Sequence, residues 1–410
     1  MLSRASSKIH FIFYITSYRR LNGHQERPAP LTGRMIGRRR MTIRVGVVGL
    51  KHGMASIVEV VRNPKFRLVS VCSRSREDYE YLRGAEIAQP LDSVTFTASR
   101  ESLIAEARRH CDFGDVAFFD DYDRFLAEGG VDAVILAVPV NLNARYGMKA
   151  LKAGKHVLAS KPFAIDVDEA AELYHAVRAA RGAFVLNFEF RYSPLFVAIR
   201  RELDADRIGQ VRLMSWNMFR MPFRPSYRRR AVSGGPFIAE ICHWVDIFRF
   251  VEGRGRFLRA ASFGGLDVLK DMQDFADHAA SIVEYDSGAV GSINFTYFTD
   301  YPEHNVFAFV GDKGKIAGNT DGAGVYSLYR DGRREPDVVR LDPTTNHQGH
   351  LGFDRSHAYF ADVIEDGLRV NEAEAEAGLE STLATVALDM AMTEGRTVTR
   401  EEIVSSTELY

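Results

Sequence analysis

The apolar run HVLAS (His156 to Ser160) ends abruptly on Lys161-Pro162. An ammonium group at the end of a buried strand is costly unless its charge is used. Placed there, Lys161 can donate to a reacting oxygen and favour its alkoxide form. Further along, Gly234-Gly235-Pro236 precedes a run in which Ile241, Trp244, Val245 and Phe248 share a helical face. Pro is favourable at the first position of such a helix. Ile247 and Phe250 make the second side apolar too, so the helix is expected to be buried nearly all round. Glu240, His243 and Asp246 lie inside it and call for partners or a purpose.

The elements that must position these groups are legible from Thr42 onward. IRVGVVGL is a strand closing on glycine, MASIVEVVRN has helical spacing, and FRLVSVCSRS is a second strand, which together make a βαβ unit. DVAFFDD, VDAVILAVPV, HVLAS and AFVLNFEF continue the strands, with NARYGMKALKAG and DVDEAAELYHAVRAARG as helices. Asp166 and Glu169 stand in a capping-box relation. Alternation of this kind predicts a doubly wound parallel sheet, the Rossmann arrangement, over residues 41–190. AQPLDSVTFTA reads as an insertion in it. Residues 191–410 change character: strands, glycine turns and two late helices predict a second α/β domain with a large, mainly antiparallel open sheet. Residues 1–40 are arginine-rich and read as a disordered extension or a start placed too early, with Met35 or Met41 the true one.

Ligands of doubly wound sheets sit beyond the carboxyl ends of the strands. The first such end carries Gly49-Leu50-Lys51-His52-Gly53-Met54. In a G-x-G-x-x-G pattern counted from Gly49, Lys51 and Met54 hold the second and third glycine positions and Gly53 comes one place early. A dinucleotide pyrophosphate is the expected ligand, with Lys51 available to a phosphate. At the end of the second strand Ser73 and Arg74 stand where an NAD site usually has an acid, which favours NADP over NAD. Val138 and Pro139 close the fourth strand beside Lys161.

VDAVILAVPV…ALKAGKHVLASKP, RYSPLF, SYRRRAVSGGPFIAEICHWVDIF and FVGDKGKI, in this order, resemble the Gfo/Idh/MocA oxidoreductases over nearly the whole chain from Met41. The resemblance implies hydride transfer between NAD(P) and a secondary hydroxyl of a sugar, polyol or related compound. It implies that Lys161 and His243 are catalytic with Glu240 beside them, and that the Lys161-Pro162 bond is cis. The cofactor is expected against Gly49, Lys51, His52, Gly53, Met54, Ser73, Arg74, Val138, Pro139, Asn143, Ser160, Lys161 and Arg191, and the substrate against Lys161, Arg228, His243 and Asp246. The chain departs from the pattern at Ala239, where the family commonly has an acid four residues before the histidine, at Ser160, which replaces a glutamate, and at Val140 and Asn143. Two other readings stay open: a hydrolase of the same family type that oxidises its substrate transiently with bound NAD, and a non-catalytic NAD(P)-binding regulator.

The basic stretch FRMPFRPSYRRR reads as a solvated loop or as a rim for a carboxylated or phosphorylated substrate. His347, His350, Asp354 and His357 have a spacing that metal could use, but no metal is expected. The formal net charge of -1 gives no reason to expect a nucleic-acid or membrane partner. Three scattered cysteines suit a reducing compartment, so a cytoplasmic protein is expected. An open sheet needs cover, so a homodimer or homotetramer through that face is expected as well.

Overall fold

The computed structural model describes residues 42–85, 99–300, 303–320, 324–341 and 352–405. The extension 1–40, the expected insertion AQPLDSVTFTA, and His347 and His350 lie outside the described residues.

Six strands make the first sheet: β1 (Ile43–Val48), β2 (Phe66–Cys72), β3 (Ala117–Phe119), β4 (Ala133–Leu136), β5 (His156–Ser160) and β6 (Phe184–Asn187). Their order is β3-β2-β1-β4-β5-β6, and every neighbouring pair is parallel. The order reverses at β1/β4, which is the switch point where such sheets bind ligands. Helices α1 (Gly53–Arg62), α2 (Arg76–Arg83), α3 (Arg100–His110), α4 (Tyr122–Glu128), α5 (Val140–Lys152) and α6 (Val167–Ala179) connect the strands. β4 and β6 are buried along their whole length, as strands covered on both faces must be. The α6 cap forms with Asp166 Oδ1 accepting from Glu169 N at 2.8 Å, but Glu169 reaches back to Ile165 N rather than to Asp166. β6 is shorter than expected: it stops at Asn187, and Glu189–Tyr192 turns as a 3-10 helix.

After α7 (Pro194–Asp204), β7 (Val211–Phe219) starts the second sheet. A π turn, Phe237–Ile241, leads into α8 (Cys242–Glu252). The sheet continues with β8 (Phe257–Gly265), β9 (His278–Tyr285), β10 (Val290–Thr296), β11 (His304–Gly311), β12 (Gly314–Asn319), β13 (Val325–Arg330) and β14 (Asp337–Arg340). Two helices, α9 (Phe353–Asp366) and α10 (Asn371–Glu394), precede β15 (Val398–Thr399) and α11 (Arg400–Ser405). The nine strands run β14-β13-β12-β11-β7-β10-β9-β8-β15. β7 and β10 pair in parallel, and the other pairs are antiparallel.

Every residue of α8 is buried, as its all-round apolar pattern requires. Trp244 stacks on Trp216 of β7 at 3.8 Å, which seats the helix on the sheet. The core is shared across the expected division at residue 190. Tyr359, Phe360 and Val363 of α9 pack in one cluster with Val45, Val47 and Ile57 of the first half. The start of α10 caps β6, where Asn371 Oδ1 accepts from Phe184 N at 2.9 Å and Glu374 Oε2 from Leu186 N at 3.2 Å. The chain returns to the first sheet because β6 is an edge strand whose amides need acceptors.

Candidate active site

The site lies where the end of β5, the β1–α1 turn, the 3-10 turn after β6 and the π turn before α8 converge. The Lys161-Pro162 bond is cis. Asn143 of α5 is buried and donates through Nδ2 to the carbonyls of Ser160 and Pro162, so it braces the lysine turn from behind. These bonds make it a support of the lysine turn, while its Oδ1 has no hydrogen-bond partner among the described residues. Ser160 Oγ donates to Leu136 O at 2.7 Å, which ties β5 to β4 and leaves Lys161 untouched.

Lys161 Nζ donates to the Ala239 carbonyl at 2.5 Å and lies 3.5 Å from Glu240 Oε1. The departure at Ala239 therefore has a physical answer: the backbone carbonyl comes from Ala239 and the carboxylate from its neighbour. Both groups belong to the π turn, a widened turn of the kind that recurs at functional sites. Burial opposes the ammonium most strongly, but Glu240, Cys242 and Glu189 together outweigh it and raise the Lys161 pKa. Burial likewise opposes the Glu240 carboxylate, yet Lys161 and Arg220 pull its pKa below the usual value. Arg220, just past β7, holds Glu240 Oε2 at 3.2 Å and Glu303 Oε2 at 3.0 Å.

His243 is 3% exposed, and Phe190 packs against its ring with centroids 4.9 Å apart. Its Nε2 stands 3.7 Å from Glu189 Oε1, and its Nδ1 is buried with no hydrogen-bond partner among the described residues. Burial, then the charges of Lys161 and Arg220, push its pKa well below the usual value, so the imidazole is neutral. Burial raises the Glu189 pKa to about 7 against the pull of Lys161. His52, in the glycine turn, faces the same cluster: burial and then Lys161 lower it to about 4. Tyr227 is raised by burial, with Lys161 opposing.

The glycine turn is built for close approach. Gly49 has φ 91°, and a Cβ there would lie 2.3 Å from the Ala137 carbonyl. A Cβ on Gly53 would lie 3.1 Å from Val47 and 3.2 Å from Ala137, so this glycine sets how near α1 sits to the sheet. Lys51 is exposed and Val138 and Pro139 half-buried at the same crevice end of the sheet. The Met54 side chain is wholly in the core, so it offers only its backbone to a ligand, as a residue at a glycine position of the turn would. Ser73 Oγ accepts from Ser75 N at 3.2 Å, and Arg74 is exposed.

Three expected contacts are engaged elsewhere. Arg191 and Asp246 form a buried two-point pair, with Arg191 Nε to Asp246 Oδ2 at 2.6 Å, so each is occupied by the other. Arg228 Nε donates to the Phe223 carbonyl at 2.6 Å and stabilises its own loop. His357 is buried, its Nδ1 lies 2.7 Å from Phe353 O, and no metal-holding cluster exists among the described residues.

Glu189, Arg220, Glu303 and Tyr227 escaped the sequence reading. Glu189 had a usable signal, since it follows a strand's carboxyl end, but it was absorbed into an overlong β6. Arg220 and Glu303 are neighbours only through the β7–β11 pairing, in which His304 lies opposite Phe219.

Fold and site define a two-part protein: a dinucleotide-type sheet and an open-sheet half meeting at a lysine–carboxylate–histidine crevice. Residues 43–188 match the oxidoreductase family with NAD-binding Rossmann fold, and residues 196–317 match the GFO/IDH/MocA C-terminal domain. The chain belongs to the Gfo/Idh/MocA oxidoreductase family. It is 35% identical over 189 residues, 44% of this chain and 54% of the relative, to a dTDP-3,4-didehydro-2,6-dideoxy-alpha-D-glucose 3-reductase of Streptomyces violaceoruber. It is 26% identical over 205 residues, 48% of this chain and 57% of the relative, to scyllo-inositol 2-dehydrogenase (NAD(+)) of Bacillus subtilis. The matches thus span little more than half the length of these curated relatives. Scyllo-inositol dehydrogenase from Lactobacillus casei, solved with NAD(H) and scyllo-inositol, shares the fold with a TM-score of 0.69 at 19% identity, covering 88% of this chain and 99% of that one.

Proposed function

We propose that this protein is an NAD(P)-dependent dehydrogenase or reductase acting on a secondary hydroxyl of a sugar, polyol or related compound. The observation that carries the reading is the convergence of Lys161, held charged by Glu240, with a neutral buried His243 beside the β1–β4 switch point. The residues present fit a dinucleotide: Gly49 and Gly53 let backbone and helix approach closely, and Lys51 is free to meet a phosphate. When bound, the nicotinamide supplies the hydride acceptor or donor. Lys161 donates to the substrate oxygen and stabilises the alkoxide that forms as the proton leaves. The neutral His243 imidazole takes that proton in oxidation and returns it in reduction. Glu240 keeps the lysine charged and fixes its direction.

Exposed Arg74 beside Ser73, with no acid at that strand end, favours NADP over NAD. The relatives named above include one described with NAD(+), so the choice is specific to this chain's own residues. The outward face of the second sheet carries Leu213, Phe263 and Ile282, which suits assembly as a homodimer or homotetramer. The three free cysteines suit the cytoplasm, and no described helix is long and apolar enough to cross a membrane.

The test is a panel of scyllo-inositol, levoglucosan, glucose and glucuronate, each with NADP and NAD, on the wild type and Lys161→Met. Turnover of at least one member, lost in Lys161→Met while cofactor still binds, is expected. Full turnover by Lys161→Met would remove the assignment.

A further inference from the structure

Oxidation leaves a proton on His243, a buried imidazole that must pass it on. The Glu189 carboxylate faces that imidazole, 3.7 Å away and 5% exposed. It is placed by the 3-10 turn after β6, and the ring it faces is held edge-on by Phe188 and Phe190. We propose that Glu189 is a positioning and relay residue that receives the substrate's hydroxyl proton from His243 during oxidation and restores it during reduction. This rests on the proposed function.

The step balances. The substrate O–H bond breaks and an N–H bond forms on the His243 ring. The Nε2–H bond that faces Glu189 then breaks as an O–H bond forms on Glu189, while the hydride goes to the nicotinamide. His243 is a weak base in its buried setting, so an imidazolium there is short-lived unless a neighbour takes the proton. Glu189 holds a proton up to about 7 because it is buried, which makes it the better resting place. Four other groups set this balance. Lys161 at the end of β5 pulls Glu189 down, Glu240 in the π turn and Asp246 in α8 push it up, and the Cys242 thiol is in turn raised by Glu189. Sulfur at Cys242 is itself pushed up to about 12 by burial and stays a thiol.

The experiment compares wild type, Glu189→Gln, Glu189→Asp and His243→Asn with whichever panel sugar turns over fastest. Wild-type kcat for oxidation should rise with pH through about 7, as Glu189 loses its proton and becomes an acceptor. Glu189→Gln should lower kcat by about 10²-fold, within the range for lost acid–base help, with KM within about twofold and that limb gone. Glu189→Asp should recover part of kcat and show a limb again. A second readout needs no cofactor: the melting temperature of the apo-protein. Glu189 has a raised folded-state pKa, so the native state binds more protons than the unfolded one between 4.5 and about 7. Its contribution to stability therefore falls as pH rises through that window, and Glu189→Gln should remove the fall. Glu189→Gln with wild-type kcat and an unchanged acid limb would overturn the relay while leaving Lys161 and His243 in place. Full turnover by His243→Asn would overturn the parent reading and the relay with it.

Discussion

Glu240 bridges two cations: its Oε1 lies 3.5 Å from Lys161 Nζ and its Oε2 lies 3.2 Å from Arg220 Nη1. The carboxylate is the reason a lysine whose side chain is only 16% exposed stays charged. Removing its charge leaves burial, the largest influence on the ammonium, opposed by the smaller contributions of Cys242 and Glu189. Glu240→Gln should therefore lower the Lys161 pKa and move the alkaline limb of kcat/KM to lower pH. The kcat at neutral pH should fall by roughly 10²-fold, the scale of acid–base assistance. A pH–rate profile unchanged in its alkaline limb would show that Glu240 does not control the lysine.

Asn143 supports the same lysine from the opposite side through the Ser160 and Pro162 carbonyls. Asn143→Leu keeps the volume but leaves both carbonyls without their donor. The expected cost is about 1–3 kcal/mol in urea unfolding. A fall in kcat should accompany it, with cofactor affinity nearly unchanged. A large loss of cofactor affinity with kcat intact would return Asn143 to the cofactor contacts first expected of it.

The Arg191–Asp246 pair is buried on both sides, with 8% and 1% of the side chains exposed. Losing one partner strands the other charge in the core, so Arg191→Ala or Asp246→Ala should each destabilise by about 3–5 kcal/mol. Arg191→Met with Asp246→Leu should be less than additive, because the paired charges leave together, while Glu374, 3.9 Å from Arg191, loses its cation and keeps part of the cost. Chemical unfolding of the four proteins in parallel measures this. Additive losses would mean that the two residues stabilise the protein through separate contacts.

How much of this was legible follows from which interactions are local. The strand–turn–helix order, the αL turn at Gly49 and the buried helix behind Trp244 are written in short-range periodicity, and they appear where expected. The π turn is not. It changes the face on which Glu240 points without changing any apolar spacing, so Glu240 and His243 could be paired by offset but not assigned to different partners. Glu189 was hidden by one boundary error at β6. Asn143 and Arg191 were placed by analogy at the cofactor, and their partners are carbonyls and a carboxylate that only tertiary packing brings near. β13 and β14 carry no strong apolar signal because they are short and mostly half-exposed, with Tyr326 and Leu328 the buried residues of β13. The return of α9 to the first core leaves no mark in composition, since its apolar face fits either half.

The cofactor preference hangs on two residues at the end of β2. Ser73 and Arg74 present a hydroxyl and a guanidinium where an acid would bind a ribose 2′-hydroxyl. Ser73→Asp with Arg74→Ala should reverse the preference from NADP to NAD, through a loss of roughly 10- to 100-fold in NADP affinity for the charge-assisted bonds removed. Titration of each dinucleotide against the tryptophan fluorescence of wild type and variant decides it. Equal affinities for the two cofactors in wild type, untouched by the double change, would remove the argument.

The second sheet has one face on α8 and α10 and, among the described residues, one face bare. On the bare face Phe263 is 72% exposed, Ile282 51% and Leu213 50%. The registers put Ile282 opposite Ala261 and Ser292, and Ser292 opposite Ser215, so small side chains run across the sheet between the large ones. Asn294 Nδ2 donates to Asn217 Oδ1 at 2.8 Å, which satisfies polar groups within the sheet and leaves the surface flat. A flat surface of this kind buries apolar area well against a second copy of itself, and a stable interface takes about 800 Å² from each partner. The double variant Phe263→Glu, Ile282→Lys should then be monomeric at micromolar concentration where the wild type is a dimer or tetramer. It should still bind cofactor, because the crevice lies on the other side of the sheet. Light scattering coupled to gel filtration measures the difference, and a wild type that runs as a monomer at high concentration would leave the bare face without a partner copy.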